Sequence, residues 1–255
     1  MKHLYLLLSL FLVAITQGQT TQDTLYVWKA GQLVIKQSIK PVDIDSITFK
    51  RPVVNIPQVT ICNQVWATRN LDVTTYSDGT VIPQVTDPTA WANLTTGAWC
   101  YYNNDASNNA TYGKLYNWYA VAGIYNAASL TNSALRKKLA PTGWHVPTDA
   151  EWTTLTTCLG GVIGAGGKMK SIGTTLWASP NTGATNSSGF TALPGGYRDY
   201  IGTTFGDIGY YGAWWCSTET DTAGALYRNL EYLNGNAYRY STNKKFGFSV
   251  RCLRD

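Results

Sequence analysis

The dipeptide Asn234-Gly235 places the tightest constraint on the fold, because it marks a β-hairpin within residues 224–243. Asn and Gly tolerate the positive φ angles that a two-residue hairpin turn requires. Counting outward from this turn predicts four facing pairs, which are Leu233 with Asn236, Glu231 with Tyr238, Asn229 with Tyr240, and Tyr227 with Thr242. Side chains alternate along a strand, so these eight residues are predicted to share one face of the hairpin.

The chemistry of this face is typical of a recognition surface. Tyr supplies rigid aromatic contact area, and Asn, Glu and Thr supply adaptable hydrogen-bonding groups. The whole chain shares this bias, since it has 17 Tyr, 10 Trp and 24 Gly but only 14% charged residues. Such a composition excludes a disordered tail, a coiled coil and a helical bundle. The alternative interpretation is an ordinary solvated face of an antiparallel hairpin.

A second Tyr-rich stretch precedes the hairpin. Residues 197–211 are rich in Gly and Tyr and lack periodicity, which predicts a loop,. After it, Trp214, Trp215 and Cys216 indicate a buried strand. The loop and the hairpin together give the candidate ligand-binding residues, which are Tyr200, Asp207, Tyr210, Tyr211, Tyr227, Asn229, Glu231, Leu233, Asn236, Tyr238, Tyr240 and Thr242.

The first residues indicate export. Lys2 and His3 precede a short apolar run over residues 4–15, and small residues follow, which predicts a signal peptide over residues 1–18,. No cysteine follows the run, so no lipid anchor is expected, and the protein is predicted to be extracellular or periplasmic. The run is too short to span a bilayer, and no later run of 18 apolar residues occurs, so no transmembrane segment is expected,.

The remaining chain divides into two parts. Residues 19–57 form a short β-rich segment, with a hairpin around Ala30-Gly31 and a third strand from Ser46 to Phe49,. Residues 58–255 form one domain without a linker or a repeat. The net charge of +5 is dispersed, with no basic stripe, so no nucleic-acid partner is expected,.

Two helices are predicted in this domain. Thr148 and Glu151 form a capping box, Trp152, Leu155 and Leu159 follow at helical spacing, and Gly160-Gly161 ends the helix,. The other helix covers residues 116–121, with an extension through the Ala-rich stretch that follows and residues 133–139.

The sequence offers little for metal binding. The five cysteines, an odd number, are widely spaced, so a zinc cluster is not expected and structural roles are favoured,. His145, the only histidine after the signal peptide, is interpreted as a core or capping residue. Asn103, Asn104 and Asp105 carry oxygens that suit a structural calcium ion, but a turn is the commoner use of such a string, so no cofactor is predicted,.

Catalytic motifs are also missing from the sequence. It contains no Gly-rich phosphate loop, no G-x-S-x-G and no H-E-x-x-H,. Four loop carboxylates could supply an acid/base pair for glycoside hydrolysis, namely Asp199, Asp207, Glu219 and Asp221,. Glu219, within Ser-Thr-Glu, is interpreted as a structural hydrogen-bond acceptor instead.

Several strings carry a family resemblance from Cys62 to Asp255. They include NQVWATRNLDVTTYSDG, YGKLYNWYAV, LAPTGWHVPTDAEWTTLT, GAWWCSTE and FGFSVRCLRD. The chain resembles the Fibrobacter succinogenes major paralogous domain family, and its prefix resembles that of exported Bacteroidota proteins. The resemblance implies an α+β, C-type lectin-like fold of the formylglycine-generating-enzyme branch, with few helices, short antiparallel strands and long ordered loops. It also implies that Cys100 and Cys252 are the likeliest disulfide pair.

The resemblance does not imply catalysis. The formylglycine-generating enzyme uses a closely spaced cysteine pair, whereas Cys216 and Cys252 are far apart, so no enzymatic activity is expected. The calcium-dependent sugar motifs E-P-N and Q-P-D of C-type lectins are also missing from the sequence.

Another resemblance concerns the variable proteins of diversity-generating retroelements. Residues 197–246 resemble their rewritten segment, with framework strings separated by Tyr, Asn, Asp, Gly, Ala and Thr. The resulting hypothesis is a secreted or cell-surface ligand-binding or adhesion protein that displays a variable Tyr/Asn-rich surface to a protein or glycan. The alternatives are a polysaccharide-active enzyme and a structural subunit of a surface assembly.

Overall fold

The computed structural model describes residues 23–29, 32–39 and 56–255, the first two ranges as backbone only. The chain divides into two units, residues 1–53 and 54–255. In the first unit, β1 (Asp23–Lys29) pairs antiparallel with β2 (Gln32–Ile39), which confirms the predicted hairpin. The predicted signal peptide and the predicted strand at residues 46–49 lie outside the described residues.

The second unit is an α+β structure of short elements. Its strands are β3 (Gln58–Ile61), β4 (Gln64–Ala67), β5 (Trp99–Cys100), β6 (Leu115–Tyr116), β7 (Trp144–His145), β8 (Gly195–Arg198), β9 (Phe205–Ile208), β10 (Tyr211–Glu219), β11 (Gly224–Glu231), β12 (Tyr238–Asn243) and β13 (Leu253–Arg254). Its helices are α1 (Pro88–Ala92), α2 (Asn109–Tyr112), α3 (Trp118–Val121), α4 (Ala127–Thr131), α5 (Asp149–Cys158) and α6 (Val162–Met169). Every helix in the described residues is too short or too polar to span a bilayer.

The largest sheet has five strands in the order β12-β11-β10-β8-β9. All its neighbours are antiparallel except β8 and β10, which are parallel at the pair Gly196 and Gly212. A four-stranded sheet has the order β3-β4-β13-β7, and β5 pairs with β6. The five-stranded sheet carries most of the residues singled out above.

The hairpin of β11 and β12 forms, but its predicted register is wrong by two residues. Tyr227 pairs with Tyr240 and Asn229 with Tyr238, and a six-residue connection over 232–237 replaces the two-residue turn. The connection packs on helix α6, where Gly167 donates its amide to the Gly235 carbonyl and Ala237 donates to Val162. Tertiary contacts therefore outweigh the local preference of Asn234-Gly235. A shift of two residues returns each side chain to the same face, so the predicted face survives.

The prediction of a loop over residues 197–211 is also wrong in part. Strands β8 and β9 form a hairpin there, with Tyr197 opposite Gly206 and Arg198 opposite Phe205. Each strand has only four residues, which is too short for an alternating pattern to show in the sequence. Asp207 also has a φ of 61°, a left-handed conformation that interrupts the regular strand,.

Helix α5 forms where it was predicted, with both hydrogen bonds of its capping box present between Thr148 and Glu151. The predicted helix over 116–121 is shorter, because Tyr116 belongs to β6 and the Asn117 side chain caps α3 at the Ala120 amide. Its predicted extension is not continuous with α3 and forms the separate helix α4 (Ala127–Thr131) and a 3-10 turn over Ser133–Leu135.

Alternation along β10 separates two hydrophobic layers. Trp215 and Ala213 face a cluster with Trp118, Trp144 and Phe248. Trp214 and Cys216 face a second cluster, which contains Trp152 and Leu155 of α5 together with Leu226 and Leu230 of β11. Trp214, Trp215 and Cys216 are all fully buried, which confirms the predicted core strand. The sheet is thus held rigidly from its helical side.

The structure corrects the expected disulfide. Cys62 is bonded to Cys158, and Cys100, Cys216 and Cys252 are buried free thiols. The expected Cys100–Cys252 pair does not form, because Cys100 packs with Trp91 and Leu115 whereas Cys252 lies in the separate cluster around Trp215. The disulfide that does form ties the β3–β4 turn to the end of α5.

Candidate functional site

The face of the five-stranded sheet opposite α5 carries a cavity of about 340 Å³. Strands β8 to β12 supply most of its lining, and the stretch before β13 supplies two Phe. The lining residues are Tyr197, Asp207, Tyr211, Ala213, Tyr227, Asn229, Glu231, Tyr238, Tyr240, Thr242, Phe246 and Phe248. Aromatic rings and hydrogen-bonding groups therefore surround a space large enough for a side chain or a small ligand.

The wall of the cavity is built from rows of side chains across neighbouring strands. Tyr211 of β10 lies opposite Glu231 of β11. Asn229 of β11 lies between Ala213 of β10 and Tyr238 of β12. These residues share one face because they are separated by two or four positions along each strand.

The aromatic rings of the cavity contact one another. The ring of Tyr227 lies 4.7 Å from Phe248 and 5.9 Å from Tyr240, measured between centroids. Tyr240 stacks on Tyr238 at 5.7 Å, and Phe248 packs on the buried Trp215 at 4.6 Å. The floor is buried, with Phe248 only 3% exposed, whereas Tyr240 at the rim is 47% exposed. The core beneath therefore fixes the rings that a ligand would contact.

Two carboxylates influence the tyrosines at one end of the cavity. Burial raises the pKa of Tyr211, and the nearby charges of Glu231 and Asp207 and a hydrogen bond with Glu231 raise it further. Burial likewise raises the pKa of Tyr197, with Asp207 adding to the effect. Asp207 is level with Gly196 in the β8–β9 pair, and Gly196 pairs with Gly212. Gly212 in turn pairs with Leu230, so Asp207 and Glu231 lie toward the same end of the cavity.

A buried lysine supports the acidic end from behind. Lys170 Nζ donates hydrogen bonds to the carbonyl oxygens of Thr182, Glu231 and Asn234, at 2.9, 2.9 and 2.8 Å. Burial lowers the pKa of Lys170 to about 8, although Glu231 acts in the opposite direction. Asn234 also hydrogen bonds to the Glu231 carboxylate. The connection 232–237 and the end of β11 are thereby held in one geometry.

The structure brings together eight of the twelve candidate ligand-binding residues. They are Asp207, Tyr211, Tyr227, Asn229, Glu231, Tyr238, Tyr240 and Thr242.

The other four candidates lie outside the cavity lining. Tyr200 packs against Phe246 at 5.6 Å, and Tyr210 packs against Tyr232 at 5.1 Å. Leu233 is 55% exposed at the tip of the hairpin. Asn236 donates a hydrogen bond to the hydroxyl of the lining residue Tyr238 at 3.0 Å, so it is connected to the cavity through Tyr238.

Sequence reasoning missed four lining residues, namely Tyr197, Ala213, Phe246 and Phe248. Ala213 lies two residues after Tyr211 on β10 and therefore on the same face. Tyr197 reaches the cavity because β8 pairs with β10, and the sequence does not show this pairing. Phe246 and Phe248 alternate just before the C-terminal strand, and that period of two was the available signal.

The remaining singled-out residues have structural roles. His145 is neither a core residue nor a helix cap, since its half-buried ring contacts Glu151 of the capping box through Nε2 at 2.9 Å and Asp255 through Nδ1 at 2.7 Å. Glu219 accepts a hydrogen bond from Lys244 at 2.8 Å, as expected. Asn103 and Asn104 adopt positive φ in a turn, and Asp105 caps the Ser107 amide. Within residues 56–255, no group of three or more His, Cys, Asp or Glu side chains is arranged to hold a metal ion.

Comparison with known proteins gives one match. The model of a family described as the Fibrobacter succinogenes major domain matches residues 59–254, which include every cavity-lining residue. No protein of curated function and no solved structure shows significant similarity to the chain.

Proposed function

Since the chain belongs to the Fibrobacter succinogenes major domain family, we propose that it is an exported binding protein whose ligand occupies the cavity of the five-stranded sheet. The observation that carries the proposal is the preorganised ring of aromatic and polar side chains on a buried Trp-rich support. Side chains already ordered by packing lose little conformational entropy when a ligand binds, so affinity is gained at low cost. The activity is recognition, without catalysis and without a cofactor.

Export is supported by the cysteines as well as by the N-terminal sequence. The disulfide between Cys62 and Cys158 is a bond that persists mainly in oxidising compartments,. The apolar run over residues 4–15, which follows Lys2 and His3, has the pattern of a secretory signal peptide,. Secretion or display at the cell surface follows from the two together.

The scaffold proposed for this site is the C-type lectin-like fold of the formylglycine-generating-enzyme branch. Short antiparallel strands, few helices and long ordered connections support it. On this scaffold, the segment 197–246 is the part rewritten by a diversity-generating retroelement. It holds all lining residues except Phe248. A template repeat and a reverse transcriptase beside the gene are expected, and their absence would remove this part of the proposal.

A matched pair of tyrosines tests the binding function. Tyr240 lines the cavity and Tyr210 does not, although each is 47% exposed. The whole chain should be screened on protein and glycan arrays, and each hit retested with Tyr240→Ala and Tyr210→Ala. We expect Tyr240→Ala to weaken binding by about tenfold or more and Tyr210→Ala to leave it unchanged. Equal effects of the two variants would show that the ligand binds elsewhere.

A second candidate function has one observation in its favour, since Asp207 and Glu231 line the same cavity. Such a carboxylate pair could act as acid and base on a polysaccharide. Incubation with a panel of polysaccharides decides between the two. Product formation that Glu231→Gln abolishes would establish the enzyme, whereas binding without product formation supports recognition.

A further inference from the structure

The cavity has a marked imbalance of charge. Its twelve lining residues include two carboxylates, Asp207 and Glu231, and no Lys, Arg or His. Within residues 56–255, neither carboxylate is part of an ion pair. Lys170 donates hydrogen bonds to three backbone carbonyls, including that of Glu231, and is not among the ion pairs of residues 56–255. A ligand that brings positive charge would therefore be complementary to this end of the cavity.

The opposite end of the cavity is aromatic. Tyr227, Tyr240 and Phe248 form a continuous set of rings, and Phe246 stacks on Phe248 with centroids 5.4 Å apart. Faces of aromatic rings attract cations and also pack well against methylene chains. The two ends together suit a group with an apolar stem and a cationic tip.

We propose that the ligand of this cavity carries an ammonium or guanidinium group on an apolar stem, with the tip at Asp207 and Glu231 and the stem against Tyr227, Tyr240 and Phe248. This inference rests on the proposed binding function and names its ligand class. Because carboxylates accept hydrogen bonds, a tip that donates N–H groups binds better than a quaternary ammonium of the same charge. Tyr211 lies opposite Glu231 across β10 and β11, so its side chain borders the acidic end of the cavity.

Capped amino acids provide the test. Calorimetric titration of the whole chain should compare N-acetyl-lysine methylamide, its arginine and trimethyllysine counterparts, and the neutral isostere N-acetyl-norleucine methylamide. We expect the lysine or arginine probe to bind about tenfold or more tighter than norleucine, with trimethyllysine between them. Binding of norleucine as tightly as lysine would overturn the proposal.

Charge-neutralising variants locate the tip. Asp207→Asn keeps the left-handed backbone, which Asn tolerates, and Glu231→Gln keeps the shape of the side chain,. Each should weaken lysine binding by about tenfold and leave norleucine binding unchanged. Asp87→Asn is the control, because it removes the same charge outside the cavity lining and Asn can still cap α1 at the Ala90 amide,. Equal losses in Asp87→Asn and Asp207→Asn would also overturn the proposal.

The source of the cation is decided by one more comparison. Tighter binding of 1,5-diaminopentane than of capped lysine assigns a free diamine, and tighter binding of capped lysine assigns a polypeptide side chain. Either result supports the proposed chemistry. If array ligands bind and depend on Tyr240 but Asp207→Asn and Glu231→Gln have no effect, the cation inference fails while the binding function stands.

Discussion

Lys170 reaches the carbonyl oxygen of Glu231 with its Nζ at 2.9 Å, although 61 residues separate them in sequence. The same ammonium group holds Asn234 and Thr182, so one side chain connects α6 to the tip of the hairpin and to the cavity wall. Breaking this contact should therefore affect both stability and the order of the site.

We expect Lys170→Met to lower the free energy of unfolding by about 3 kcal/mol, because three carbonyls lose the hydrogen bonds of a buried donor,. Lys168→Met is the matched control, because Lys168 lies in α6 and Lys170 directly follows that helix. Lys168 is exposed and bonds a single carbonyl, so its loss should change stability by about 0.5 kcal/mol or less,. Urea denaturation measures both values, and hydrogen exchange should show faster exchange in residues 232–237 of Lys170→Met alone. Similar stabilities of the two variants would contradict the role of Lys170.

Two arginines share one carboxylate and differ in burial. Asp149 Oδ1 lies 2.7 Å from Arg228 Nη2 and 2.9 Å from Arg239 Nε, but the Arg228 side chain is 4% exposed and the Arg239 side chain 52%. We expect Arg228→Ala to cost about 3 kcal/mol, and Arg239→Ala about 0.5 kcal/mol because solvent screens the exposed pair. Chemical denaturation in urea checks this ratio. An equal cost would show that burial does not control the strength of these pairs.

The pH dependence of the free energy of unfolding should show the ionisation of His145. Burial favours its neutral ring, but the hydrogen bonds to Asp255 and Glu151 outweigh burial and raise the pKa of His145 above 6.5. A raised pKa in the folded state gives stabilisation that is complete below pH 6.5 and is lost as the pH rises through the folded-state pKa,. We expect unfolding free energy to fall over this interval in the parent chain and not in His145→Gln.

Lys170, whose pKa is lowered to about 8, is half deprotonated at pH 8 and contributes in both proteins, so the difference between the two profiles up to that pH gives the contribution of His145,. A profile in His145→Gln that follows the parent chain would assign the pH dependence to another group.

Thiol chemistry should identify the cysteine pairing. Non-reducing peptide mapping is expected to link Cys62 to Cys158. Burial raises the pKa of each of the thiols Cys100, Cys216 and Cys252 to about 12, so none should react with a thiol reagent before unfolding,. Replacing Cys62 and Cys158 together by Ser should lower stability by about 2–5 kcal/mol, since the bond closes a loop with a separation of 96 residues,. A Cys100–Cys252 peptide would contradict the structure.

The sequence predicted those structural features that depend on residues close together in the chain. The capping box of α5, the buried strand at Trp214 and the shared face of Tyr227, Asn229 and Glu231 all depend on neighbours in the chain, and all were predictable. The register of the hairpin was not, because Gly167 and Lys170 reposition the turn from a distant helix. The disulfide was missed for the same reason, since sequence spacing does not show that Cys62 and Cys158 meet.

The candidate site shows the same difference between features set by local sequence and features set by long-range contacts. The alternation of β11 and β12 identified one wall, whereas Tyr197 and Phe248 reach the cavity through strand pairings that the sequence does not display. The two carboxylates were both named as candidates, but only the pairing of β9, β8, β10 and β11 places Asp207 toward the same end of the cavity as Glu231.

The two-residue offset of the hairpin has a consequence for how such a surface can change over time. Because side chains repeat every second residue, a slip of β12 against β11 by two residues keeps the inward and outward sets of side chains, whereas a slip by one would exchange them,. A slip by two therefore changes which side chains face each other and keeps the chemistry of the cavity face. During evolution or protein engineering, the register of the hairpin and the composition of its cavity face can therefore change independently of each other.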